Sequence, residues 1–169
     1  MNEPNPYAPP RAPVTDAAQP APEVELASLG ARLGGALIDG ILVALFMWPF
    51  LLSTDYWTRA TAGDVGTSDL LNLVLVGLIL FLLLHGYLLH KYGQTIGKRL
   101  VGTRIVSASD NQIVSLGKIF ALRYVPMQLV GVIPVVGNIL PLIDVLFIFR
   151  EDRRCLHDLI AGTKVIKAR

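Results

Sequence analysis

Cysteine is nearly absent. Cys155 is the only one in 169 residues, which excludes an intrachain disulfide and a zinc site built from paired thiolates. Redox chemistry is not expected, and in its basic stretch Cys155 reads as a bystander thiol. Charge is scarce too, at 17% against 53% hydrophobic residues. The net charge of +2 is dispersed among apolar segments, which excludes the basic stripe that nucleic acid requires. Catalytic spacings are missing as well. Gly93-Gln94-Thr95-Ile96-Gly97-Lys98 lacks the four residues between glycines, and the hydroxyl after lysine, that define a phosphate loop. His157 and Asp158 are neighbours that point in different directions on a helix, with no serine, cysteine or metal motif spaced to match. No enzymatic activity and no cofactor are expected, and without clustered soft ligands no transition metal is expected either.

What is present is apolar length. A mean hydropathy of +0.54 lies far outside the range of soluble domains, and such a chain needs lipid as its solvent. Residues 33–52 are apolar over about 20 positions, which at about 1.5 Å per residue crosses a hydrocarbon core of about 30 Å. A cleavable signal peptide is the rival reading, but this run is too long and too far from the start. Residues 70–89 form a second such run. A third region, 116–149, is too long for one helix and carries Pro126, Gly131, Pro134, Gly137 and Pro141. It is expected to bend into two short helices, near 116–132 and 135–149, turning at Ile133-Pro134.

Charge asymmetry orients these segments. The connection 53–69 holds Asp55, Asp64 and Asp69 against Arg59, whereas Lys91, Lys98, Arg99, Arg104 and Lys118 crowd the far side of the second run. By the positive-inside rule the acidic loop faces out and both termini lie in the cytoplasm, which requires an even number of crossings. Four is the expectation, with a re-entrant pair as the alternative for the last two. Trp48, Tyr56 and Trp57 suit the outer interface, and Tyr87 and Tyr92 the inner one. The expected fold is an all-α polytopic membrane bundle of two helical hairpins, with short cytosolic amphipathic segments and a small β-hairpin or sheet. Residues 1–25, with seven prolines, form a disordered cytosolic tail ahead of a membrane domain at 26–169. Pro9-Pro10-Arg11-Ala12-Pro13 could dock a partner's aromatic groove, against the plainer reading of a flexible extension.

The segment 95–106 lies over 155–166 as an internal repeat. Gly102-Thr103 matches Gly162-Thr163, and Ile96 and Leu100 match Leu156 and Ile160, giving each short helix one apolar face. Each half then reads as a helical hairpin, a surface helix and a strand. Ser109-Asp110-Asn111 is a turn signal between strands at 103–106 and 112–114, and the second copy's 163–166 could add to that hairpin. Lys98 falls where Asp158 falls, so a contact between them across the halves is expected.

Several ionisable residues sit at lipid depth. Asp39 follows Arg32 by two helical turns, about 10 Å further in, and Asp144 lies at a comparable depth in its own helix. A charge at the centre of a membrane helix costs at least about 2.5 kcal/mol and calls for a partner. Arg32 and Arg123 are the cations expected to pair with Asp39 and Asp144. His85 reads either as a proton carrier or as a polar lining residue, and His90 as interfacial. Asp158 is expected to bond Lys98 or backbone amides. The two readings of this network are movement of ions or protons and plain structural pairing.

With these residues in hand, the chain resembles the RDD family of bacterial membrane proteins, so called for one arginine and two aspartates. Ala31-Arg32-Leu33 through Ile38-Asp39 is similar to the family's first-helix pattern. Gly93-Gln94-Thr95-Ile96-Gly97-Lys98-Arg99-Leu100-Val101-Gly102 is similar to its juxtamembrane box. Asp144 and Leu156-His157-Asp158 through Ala161-Gly162-Thr163 are similar to its closing region, and either aspartate could be the second in the name. The resemblance implies a multi-pass protein of the bacterial inner membrane, of a kind described as small transporters, some associated with sodium/proton exchange. Four short helices enclose little volume, so a homodimer is expected. A membrane assembly or scaffold protein, with the tail recruiting a partner, is the alternative.

Overall fold

The computed structural model describes residues 24–133 and 135–168. The tail expected at 1–25 lies almost wholly outside them. Ser28 opens helix α1 (Leu29–Leu52) by accepting the N–H of Ala31 at 3.2 Å, which satisfies one of the unpaired first-turn donors. The helix therefore begins four residues earlier than its apolar run, and Arg32 falls within its first turn. A short helix α2 (Tyr56–Ala62) leads to α3 (Thr67–Tyr92). At 24 and 26 residues, α1 and α3 are long and apolar enough to cross a membrane, at about 36 and 39 Å of rise.

Their surfaces are inverted relative to a water-soluble bundle. Leu37, Ile41 and Leu45 on α1, and Leu71, Leu75, Ile79 and Leu83 on α3, are exposed at four-residue intervals, while Arg32, His85, Lys98, Arg123, Asp144 and Asp158 are buried. Lipid as the outer solvent accounts for that pattern. Trp48 stacks at 5.9 Å on Trp57 at one end of the bundle. Lys91 and Arg99 lie over Tyr92 at the other, with ring distances of 5.4 and 4.6 Å.

The third and fourth apolar segments are short, and four crossings do not follow from their lengths. The third runs as α5 (Leu116–Ile119), a π turn (Phe120–Tyr124) and α6 (Val125–Val130). Pro126 lacks the N–H that would bond the Leu122 carbonyl, which widens the helix there. The fourth is α7 (Val136–Leu146), ending in a 3-10 turn (Phe147–Phe149).

The repeat is real in three dimensions. Helix α4 (Ile96–Leu100) precedes strand β1 (Thr103–Ser107), and α8 (Leu156–Ala161) precedes β2 (Thr163–Lys167). Gly93 and Arg153, sixty positions apart, both hold positive φ before these helices, and Gly102 and Gly162 do so after them. Gly93 is needed for a second reason: a Cβ there would stand 2.5 Å from the carbonyl oxygen of Ile105, whose N–H bonds the Gly93 carbonyl at 2.7 Å.

Strands β1 and β2 pair antiparallel, Thr103 with Lys167 and Ser107 with Thr163, so the two halves are joined through one sheet. The hairpin partner expected at 112–114 is not a strand; those residues leave the turn and lead into α5. The second copy takes that place, and Glu25 and Ala27 bond the far side of β2 through Lys167 N–H at 2.9 Å and the Val165 carbonyl at 3.1 Å. The apolar core, with Phe81, Leu89, Ile105, Ile119 and Val165, lies between this sheet, α3 and α5.

Candidate functional site

Three clusters of buried polar side chains gather where α4, α8 and the sheet meet the helices. The first is centred on Asp158, which is fully buried. Its Oδ1 accepts from Arg123 and from the Thr163 hydroxyl at 3.0 Å, and its Oδ2 from Arg32 and from the Cys155 N–H at 3.2 Å. Every lone-pair direction of the carboxylate is thus taken. Burial alone would raise the Asp158 pKa, but Arg123, His157 and Arg32 outweigh it and hold the carboxyl well below its ordinary value. Arg32 also donates to the Arg153 carbonyl, and Arg123 to Thr163 Oγ1 at 2.9 Å. Arg32 comes from α1 and Arg123 from the π turn, so this carboxylate fastens both halves of the repeat.

The second cluster surrounds Asp39. Thr95 caps α4 by accepting the Lys98 N–H at 3.2 Å, and its hydroxyl donates to Asp39 Oδ2. Asp39 Oδ1 accepts the Gly97 N–H at 2.7 Å. The helix N-terminus itself therefore stabilises this carboxylate. The Lys98 ammonium stands 4.0 Å from Asp39 Oδ2. Burial lowers the Lys98 pKa to about 8, with Arg123 adding to the effect and Asp39 and Asp158 opposing it. His85 is fully buried, and its Nδ1 accepts the Ile96 N–H at 3.3 Å. A neutral ring bonded in this way carries its proton on Nε2, which faces Asp39 Oδ1 at 3.8 Å and has no hydrogen-bond partner among the described residues.

The third cluster pairs Asp144 of α7 with His157 of α8. Asp144 Oδ1 accepts the His157 N–H at 2.9 Å, and its Oδ2 lies 2.6 Å from His157 Nδ1. Burial lowers the His157 pKa, and Arg123 adds to that against the attraction of the two aspartates. Burial raises the Cys155 thiol, with Arg32 opposing. A cleft is lined by Arg32, Lys98, Arg123, Asp144, Cys155 and His157 along with apolar side chains.

The structure buries Arg32, Lys98, Arg123, Asp144 and Asp158, but their pairing differs from the expected one. Arg32 and Arg123 do not bind Asp39 and Asp144; both converge on Asp158, because the sheet draws α8 between the two helices. Lys98 meets Asp39, not Asp158, since α4 packs on α1 of its own half. His85 is as buried as a proton carrier needs to be, and His90 is exposed. His157 received no role from the sequence, and only its repeat position opposite Gly97 marked it as a residue whose N–H an intramembrane carboxylate could hold. Asp144, Cys155 and His157 place metal-binding donor atoms together, which linear spacing had not shown.

Comparison with known proteins finds relatives in two bacteria. An uncharacterized protein of Bacillus subtilis strain 168, YckC, is 42% identical over 140 residues, covering 81% of this chain and 82% of that protein. An uncharacterized protein of Haemophilus influenzae is 34% identical over 93 residues, covering 54% of this chain and 56% of its own length. No solved structure matches the chain. The RDD family pattern matches residues 26–162, the whole span from Leu26, which bridges to Ile166 ahead of α1, to the end of α8. Its two long apolar helices and this match point to a membrane protein, and the chain belongs to the RDD family.

Proposed function

We propose that the chain is a small transporter of the bacterial cytoplasmic membrane, crossing it four times with both termini inside, and that it exchanges a cation for protons at the Asp39–His85–Lys98 cluster. One observation carries this reading. His85 is fully buried, yet among the described residues its Nε2 has no hydrogen-bond partner, and it faces a carboxylate 3.8 Å away. An unsatisfied buried donor of this kind costs about 1 to 3 kcal/mol, and beside a carboxylate and a lysine it singles out this cluster as the place for a mobile ion or water. The Nε2–H of His85 donates, so a hydrated cation held by Asp39 supplies an acceptor for it in its water, and a proton taken up by Asp39 competes with the cation for the same carboxylate. Lys98, on the other side of Asp39, competes for the same charge.

Reconstitution into proteoliposomes tests this. With a pH gradient imposed, added Na⁺ or K⁺ should collapse the gradient in vesicles holding the parent chain. Asp39→Asn and His85→Asn, each with unchanged helix content, should reduce that rate at least tenfold. Equal rates in parent and variants would remove the assignment.

A membrane scaffold is the second reading, favoured by the fully saturated Asp158, which has no capacity left to bind anything mobile. Under that reading the parent shows no flux, Arg32→Ala depletes the protein from the membrane, and deletion of residues 1–25 abolishes function.

A further inference from the structure

We propose that Asp144, Cys155 and His157 form a binding site for a divalent transition-metal ion of the zinc type, through one carboxylate oxygen, the sulfur and one imidazole nitrogen, with a fourth position open to the cleft. The donor atoms come from two elements, α7 and the start of α8, and all lie within 4.8 Å of one another. Around a tetrahedral zinc ion, with metal–sulfur near 2.3 Å and metal–nitrogen or metal–oxygen near 2.0 to 2.1 Å, such atoms stand about 3.3 to 3.6 Å apart. The widest separation must close by at most about 1.5 Å, and the Asp144 Oδ2–His157 Nδ1 contact of 2.6 Å opens to admit the ion, both within reach of side-chain torsions. Asp144 and His157 are already held in register by the 2.9 Å bond from the His157 N–H, so α7 and α8 need not move.

The chemistry selects the ion. A thiolate, an imidazole and a carboxylate suit zinc or cobalt and give no advantage to magnesium or calcium, which prefer sets of oxygen ligands. Binding replaces the Cys155 S–H bond with a sulfur–metal bond, and the proton leaves to solvent. Thiolate and carboxylate together then balance a divalent charge. Arg32 stands 3.7 Å from the sulfur, but it and Arg123 are both bound to Asp158, whose own carboxylate lies 3.9 Å from His157 Nε2. That negative charge offsets one of the two guanidiniums on the side facing the ion. The cleft reaches all three donors and gives both access and room for a water as fourth ligand, the arrangement of an exchangeable site instead of a closed structural one.

Cobalt titration of the metal-free, detergent-purified full chain reads the site directly. One Co²⁺ per chain should produce a sulfur-to-cobalt charge-transfer band and intense tetrahedral d–d bands. Zn²⁺ should displace it, and excess Mg²⁺ should not. Cys155→Ser should abolish the charge-transfer band. Asp144→Asn and His157→Gln should weaken binding at least tenfold, while His90→Gln, on an exposed residue, should bind as the parent does. A matching circular dichroism spectrum and elution profile establish that each variant is folded. The proposal is overturned if the parent gives no charge-transfer band, if the band survives in Cys155→Ser, or if the folded Asp144→Asn and His157→Gln variants bind like the parent.

Discussion

The carboxylate of Asp39 accepts the backbone N–H of Gly97 at 2.7 Å, so a side chain from the first long helix closes the N-terminus of the short helix that follows the second. The other half answers with Asp144 and the N–H of His157 at 2.9 Å, His157 being the repeat counterpart of Gly97. The carboxylates come from different helices of their hairpins, yet they perform the same task. Each short helix after a hairpin leaves its first N–H groups unpaired, and a buried anion both satisfies them and is stabilised by them. An acid from an apolar helix and the start of a short helix packed against it are one device used twice.

That device makes Gly97 intolerant of a side chain. A Cβ at position 97 would stand 2.1 Å from the Gly35 carbonyl oxygen and 2.8 Å from Asp39 Oδ1, so α1 and α4 would have to part. Gly97→Ala should destabilise the protein by about 1 to 3 kcal/mol or more in denaturant titrations in detergent. Gly34→Ala is the control, because its Cβ would meet only Val101 at an ordinary 3.8 Å, and it should leave the midpoint within error.

The Asp158 clamp sets a second expectation. Removing one partner of a buried ionic network costs about 3 to 5 kcal/mol, because the remaining charges stay buried and uncompensated. Asp158→Asn leaves Arg32 and Arg123 facing each other, and should show a loss of that order. Adding Arg123→Met removes one of the stranded cations, so the double variant should lose less than the sum of its parts, by about 0.5 to 3 kcal/mol. Strict additivity in the same unfolding measurement would show that Arg123 and Asp158 do not act together.

The repeat and the two long helices were visible in the sequence, because periodicity, length and apolar context are local properties. Partner choice was not. Whether Arg32 meets Asp39 on its own helix or Asp158 in the other half depends on how β1 and β2 pair, and that register appears only once the halves are assembled. The strand expected at 112–114 failed for the same reason. Its β-branched residues fit a hairpin locally, but 163–167 offers a full five-residue ladder with Thr103 to Ser107. Cys155 looked inert along the chain because its co-donors, Asp144 and His157, are assembled by the packing of α7 on α8.

Lys98 predicts a pH response of definite sign. Its pKa falls from 10.5 to about 8 on folding, so between those values the unfolded chain holds a proton that the folded chain has released. Stability then rises with pH. The gain is complete above 10.5, declines as pH falls through the window, and is absent below about 8, where the lysine is charged in both states. Unfolding free energy measured from pH 7 to 11 should show this upward component in the parent and not in Lys98→Met. A component of opposite sign would mean that Asp39 pairs with the ammonium more strongly than burial opposes it.

The number of crossings turns on a few residues between α6 and α7. Residues 116–130 and Val136–Phe149 rise only about 22 and 21 Å, short of a hydrocarbon core of about 30 Å. A full crossing therefore requires local thinning of the bilayer or the turn buried below its surface. Val135 at the turn holds φ 67°, a conformation that costs a β-branched residue about 1 to 3 kcal/mol and reverses the chain within few residues, as a hairpin tip must. Single cysteines at Ile133 and Val135 in a Cys155→Ala background, probed with a membrane-impermeant maleimide, should react from the same side as a cysteine at Thr54 and not from the side of Ser109. Reaction only from the Ser109 side would make the pair re-entrant, confine the chain to two crossings, and leave the Asp39–His85 gap with access from a single face, which no alternating exchange could use.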